Sequence, residues 1–136
     1  MNKAFLDTSA LLRLLVKDDE KKMNAVIALL QNAGKQGSYF SVLPVTMLEI
    51  VWVLEKVYKL DRRAVREFVE AIINTPQLKV EKEEVFRKAL QIYAEKNVKF
   101  ADAVMGYWGL SNGLSTVFTY DEKHFKRIDG LEVKKP

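Results

Sequence analysis

The sequence predicts an α/β fold: a three-layer sandwich in which a central parallel β-sheet of about four or five strands is flanked by helices. Three observations carry that expectation. Short apolar runs alternate with longer stretches of helical spacing, the rhythm of βα units. The strand candidates read as continuous apolar runs, the pattern of strands covered on both faces. The chain has 136 residues with no internal repeat, low-complexity tract or linker, which suits one domain over residues 1–136 with one core.

In chain order, residues 3–6 make a short buried strand and residues 8–16 the first helix. Residues 20–33 set Met23, Val26, Ile27 and Leu30 at amphipathic spacing, and Gly34 and Gly37 stop that helix. Residues 38–42 are the second strand, and Pro44 opens the approach to a helix over residues 47–59. Asp61 is the N-cap of a helix running to Ile73, with Pro76 beyond its end. Residues 78–80 form a third strand, residues 83–96 a charged amphipathic helix and residues 101–111 a nearly uncharged one. Residues 117–119 and 131–133 supply the last two strands.

Composition removes several kinds of chemistry. The chain has no cysteine, so it offers no disulfide, thiolate zinc site or cysteine nucleophile. Its single histidine, His124, excludes a His-rich metal site and argues against a Ser-His-Asp triad. A net charge of +4 suits a polyanionic partner. No apolar run reaches the ~20 residues that cross a bilayer. Lys3 precedes an apolar stretch as in a signal peptide, but Asp7 interrupts it, Arg13 ends it and no small-residue cleavage site follows. The expectation is a cytoplasmic protein whose first strand belongs to the fold.

The chemistry is signalled by where charges are missing. Most acids sit beside a basic residue, as Asp18 and Asp19 do near Lys17, Glu55 beside Lys56 and Asp61 beside Arg62. Three do not. Asp7, Glu49 and Asp102 each stand alone in an apolar segment, and Asp121 directly follows the apolar fourth strand. An ionised carboxylate in apolar surroundings costs several kcal/mol unless compensated. A shared divalent cation compensates all four, and hard oxygen ligands suit Mg²⁺ or Mn²⁺. Asp7 and Asp121 follow the carboxyl ends of expected parallel strands, where open α/β sheets place their sites. Glu49 and Asp102 fall in the first turns of helices starting at that edge. Unscreened by a cation, the four would raise one another's pKa values.

Each acid also has an ordinary explanation. Thr46-Met47-Leu48-Glu49 is a capping box in form. Asp7 and Asp121 can cap the helices that follow them, and Asp102 suits a helix's first turn. Four separate caps are each unremarkable. Their joint placement at one sheet edge favours the metal site.

These residues also resemble a known family. Phe5-Leu6-Asp7-Thr8-Ser9 resembles the opening strand and first acid of PIN domains. Val45-Thr46-Met47-Leu48-Glu49 resembles their second acidic element, Phe100-Ala101-Asp102-Ala103 the third, and Val117-Phe118-Thr119-Tyr120-Asp121 with Phe125 the fourth. The resemblance implies a PIN-like fold and a metal-dependent endoribonuclease using one or two Mg²⁺ or Mn²⁺ ions. It makes Asp7, Glu49, Asp102 and Asp121 the catalytic, metal-binding carboxylates, with Thr8 and Thr119 as supporting hydroxyls. Lone domains of this size resemble toxins of the VapC kind, which implies an RNA substrate, a small antitoxin protein as partner and a homodimer. Many relatives carry a second acid a turn beyond the third motif. Here those places hold Val104, Met105 and Gly106.

For RNA contacts, Lys123, Lys126 and Arg127 adjoin the expected site and have a phosphate-binding character. Arg62, Arg63 and Arg66 read as a solvated helix face, His124 as an exposed helix residue, and Trp52, Tyr107, Trp108 and the methionines as core or dimer interface. Two rivals stand beside the nuclease. One is a non-catalytic RNA-binding or scaffold protein of the same fold, which has no need of four acids. The other, a phosphatase using Asp7 as nucleophile, wants an acid where Ser9 stands, and no Gly-rich phosphate loop is present.

Overall fold

The computed structural model describes residues 4–136. Lys3, expected to begin the first strand, lies outside them. Two compact units make up the chain, Met1–Glu81 and Lys82–Pro136.

The first unit runs β1 (Ala4–Phe5), α1 (Thr8–Leu15), α2 (Glu20–Lys35), β2 (Phe40–Val42), α3 (Pro44–Lys56), α4 (Arg62–Ile73) and β3 (Leu78–Val80). Its strands pair in parallel in the order β1-β2-β3, with Phe5 opposite Ser41 and Ser41 opposite Lys79. Parallel neighbours need a crossover, and a helix pair supplies each one. Apolar spacing decides which helix faces turn inward: α1 packs on α2 and α3, α3 on α4, and α4 on β3. Leu11, Met47, Ile50, Leu54, Val65 and Val69 are fully buried. Asp19 and Asp61 cap α2 and α4 by accepting from the amides of Lys22 and Ala64.

Three details differ from expectation. Helix α2 continues through Gly34, and the reversal falls at Gly37, whose φ of 66° suits a residue without Cβ. Helix α3 starts at Pro44, because a proline at the first helical position gives up an amide that would be unpaired anyway. Thr46 therefore lies within the helix and Glu49 in its second turn, so no capping box forms. Two-face cover fails in the strands: Phe5 of β1 is 61% exposed, and in β3 Leu78 and Val80 are buried whereas Lys79 is exposed with its ammonium 5.9 Å from the Tyr39 ring.

The second unit runs α5 (Glu83–Lys96), α6 (Phe100–Ser111), β4 (Thr116–Phe118), α7 (Glu122–Phe125) and β5 (Glu132–Lys134). Glu83 and Glu84 open α5 and Lys96 closes it, in the sense the helix dipole favours. Asn97, at a φ of 56°, turns the chain into α6. Helices α5 and α6 form the unit's main packing. The Phe100 ring stacks on Phe86 at 6.1 Å and meets the edge of Tyr93 at 5.7 Å. Strands β4 and β5 are parallel, with Val117 opposite Val133. The five described strands thus pair in parallel throughout, in ladders of three and two. Among the described residues, no helix is long and apolar enough to cross a membrane.

Candidate active site

In the first unit, Leu6 donates its amide to Ser41 O and closes the β1–β2 ladder. Asp7 then leaves the sheet in extended backbone and caps α1. Its Oδ1 accepts from the Ala10 amide at 3.0 Å and the Ser9 hydroxyl at 2.8 Å. Those bonds, the Ala10 amide first, hold the Asp7 carboxyl below its ordinary value of 3.8. Thr8 is the first residue of α1 and half-buried. Glu49 is exposed on α3. Since β1 and β2 run parallel, Asp7 and the start of α3 leave the same edge of this sheet.

In the second unit, Asp102 is the third residue of α6 and half-buried. Asp121 is exposed at the head of α7, where its side chain makes no cap bond. The Thr119 hydroxyl fixes that turn instead, accepting from Asp121 N at 2.9 Å and donating to Asp121 O at 3.2 Å. Asp102, Asp121 and His124 each bring one ligand-type atom within 4.8 Å of the others. Burial raises the Asp102 carboxyl above its ordinary 3.8; His124 and Lys99 oppose the shift, and the Asp121 charge adds to it.

The structure brings Asp102 and Asp121 together, and it places Asp7 and Glu49 in the other unit. It corrects two expectations. Asp7, Glu49 and Asp121 are exposed, so the burial argument applies to Asp102 alone. The upward shift expected from crowding occurs at Asp102, where burial is the main cause and the Asp121 charge a lesser one, but is reversed at Asp7, where cap hydrogen bonds outweigh desolvation.

The basic residues divide. Arg127 donates through Nη1 to Lys96 O and Asn97 O, tying α7 to the end of α5. Lys126 pairs with Glu122 at 3.5 Å, and Lys123 is exposed. Arg63 and Arg66 form i,i+4 pairs with Glu67 and Glu70, as a solvated face should. Met47 is core, but Trp52 and Met105 are exposed, and Trp108 and Tyr107 are half-buried. Sequence reasoning undervalued His124, which is half-buried beside the two acids rather than exposed. Its position one helical turn after Asp121 was the available signal. A groove of about 460 Å³ on the same unit, lined by Glu84, Lys88, Tyr107 and Ser111 among others, includes none of these three residues.

A PIN-domain family model matches residues 4–131. The chain belongs to the PIN-domain family. This PIN domain is also similar to a VapC ribonuclease of Aquifex aeolicus (strain VF5), 27% identical over 123 residues that cover 90% of each chain. The family implies a divalent cation, which needs hard oxygen donors held close together. Two ligands of Mg²⁺ lie at most about 4.2 Å apart, twice the usual 2.1 Å bond. The Asp102 and Asp121 oxygens lie within 4.8 Å of each other, close to that limit. Both are hard oxygen donors, and a cation would relieve the cost of charging Asp102 beside Asp121. The carboxylates of this PIN domain fit the ion.

Proposed function

We propose that this PIN domain is a Mg²⁺- or Mn²⁺-dependent endoribonuclease that hydrolyses RNA phosphodiester bonds as the toxin of a cytoplasmic toxin–antitoxin pair. One observation carries the reading: Asp102 and Asp121 come together in a chain that matches a VapC ribonuclease along 90% of its length. Asp7, Glu49, Asp102 and Asp121 are its proposed catalytic and metal-binding carboxylates, holding one or two ions. A bound ion supplies positive charge for the phosphoryl oxygens and makes water a stronger nucleophile.

The protein's own contribution is placement. Asp102 rides on the first turn of α6, seated by the buried Phe100 ring. Asp121 is presented by a turn that the Thr119 hydroxyl closes on its backbone, so its carboxylate is not spent on a cap. Asp7 keeps a low proton affinity and stays anionic wherever RNA is stable. Lys123 and Lys126 are the proposed phosphate contacts; Arg127 joins them only with the donors left over from its carbonyl bonds. Val45 and Trp52 lie seven residues apart on α3 and are both exposed, which supports a homodimer or an antitoxin docking there.

The test is cleavage of a labelled single-stranded RNA panel with Mg²⁺, with Mn²⁺ and with EDTA, beside Asp7→Asn and Asp102→Asn. Cutting should require the ion and fall by on the order of 10³-fold or more in each variant. EDTA-resistant cutting, or full activity in folded Asp7→Asn, overturns the assignment. RNA binding without cutting by the antitoxin-free wild type favours the non-catalytic reading.

A further inference from the structure

The imidazole of His124 completes the cluster with Asp102 and Asp121, yet its hydrogen bonding disqualifies it as a third ligand. The Lys99 amide donates to His124 Nδ1 at 3.1 Å. A ring nitrogen that accepts a hydrogen bond carries no proton, so in the neutral ring the proton sits on Nε2. One lone pair is then occupied by the amide and the other position bears hydrogen. No lone pair remains for a metal, and the free edge of the ring is a donor.

The support for this ring is rigid. His124 and Arg127 are three residues apart and both bind the connector formed by residues 96–99, through Lys99 N on one side and the Lys96 and Asn97 carbonyls on the other. Asn97, within that connector, adopts the left-handed conformation. Phe125 and Ile128 are buried beside them. Ring rotation to free a lone pair would break the Lys99 bond.

We propose that His124 is a phosphate-binding residue rather than a metal ligand: its Nε2–H donates to a phosphoryl oxygen of RNA held at the Asp102–Asp121 pair. The placement suits that partner, because a ring nitrogen of His124 lies within 4.8 Å of the Asp102 and Asp121 oxygens, so a phosphoryl group held at those carboxylates would lie beside the imidazole. The proposal rests on the ribonuclease reading for its substrate but not for its tautomer.

The histidine is the only one in the chain, so the ¹⁵N spectrum of histidine-labelled protein, followed over a pH series to its alkaline limit, reports it directly. The expected result is the Nε2–H tautomer, retained when Mg²⁺ is added. Calorimetry with Mn²⁺ alone should give unchanged affinity in His124→Ala. Cleavage should fall about ten-fold or more in His124→Ala, as when one transition-state donor is removed. His124→Gln, which restores a donor near the Nε2 position, should recover activity. His124→Asn, which restores only the acceptor for Lys99 N, should not. An Nδ1–H tautomer, Mn²⁺ binding weakened by about ten-fold or more in the variants, or rescue by Asn in place of Gln overturns the proposal. A wild type that cuts no RNA overturns the ribonuclease reading instead, while the tautomer and Mn²⁺ measurements still decide whether His124 is donor or ligand.

Discussion

Asp7 and Asp102 open the first and third acidic motifs of one PIN domain, yet the fold treats their carboxyl groups in opposite ways. Asp7 is exposed at the mouth of a three-stranded parallel sheet, bound by the Ala10 amide and the Ser9 hydroxyl, and holds its proton weakly. Asp102 is half-buried on α6 beside Asp121 and holds its proton more tightly than usual. The first environment stabilises the anion with hydrogen bonds from the protein alone. The second leaves it under-compensated, because burial costs the anion more than His124 and Lys99 return. One acid contributes to stability at neutral pH, and the other detracts from it.

The contrast can be broken by removing what seats Asp102. Phe86→Ala empties the stack beneath Phe100, and the cost should be about 3–5 kcal/mol in a denaturant titration. A midpoint unchanged by this substitution would mean that α6 is not anchored by its ring contacts. A smaller perturbation is available at Gly106, where an added Cβ would lie 2.6 Å from Ile128 Cδ1 and 3.1 Å from Leu131 Cδ1. Gly106→Asp should destabilise by roughly 1–3 kcal/mol through overpacking, despite the gain in helix propensity. If that variant is as stable as the wild type, the lack of a second acid here has no steric cause. In the other unit, Asp7→Ala should cost about 1 kcal/mol as a lost N-cap, with Asp7→Asn much closer to wild type because Asn caps equally well.

The pH dependence sharpens the comparison by sign. Asp7, with a lowered folded value, contributes stability above the ordinary 3.8 and loses it as pH falls through its folded value. Asp102, with a raised folded value, imposes its full penalty above that value and none below the ordinary 3.8. Denaturation midpoints measured without metal should therefore show Asp102→Asn more stable than wild type at neutral pH. That gain should vanish in acid. Asp7→Asn should instead approach the wild type from below as pH falls. Parallel curves for the two variants would erase the distinction. The smallest expected effect is electrostatic: Lys123→Ala should reduce the salt slope of log affinity for single-stranded RNA by about 0.7.

Much of this was legible in the residues. Asp61 as an N-cap and the spans of β3 and α5 follow from cap chemistry and apolar spacing, which act within a few residues. The start of α3 was misplaced because Thr46 and Glu49 imitate a capping box. Pro44 prevails there, since it fixes the helical φ without losing an amide bond. The four acids are legible as isolated charges, but isolation along the chain does not amount to burial. Three of the four side chains point to water.

Local chemistry in the sequence therefore determined the α/β class, the parallel pairing, most helix limits and the candidate acids. Only the tertiary structure decided that Asp7 spends Oδ1 on a cap, that Asp102 meets Asp121, and that His124 joins them with one nitrogen bound to Lys99. The physical reason is range. Caps and periodicity act over one or two helical turns, whereas desolvation and the choice of a histidine tautomer depend on atoms that the chain brings together from 25 residues away.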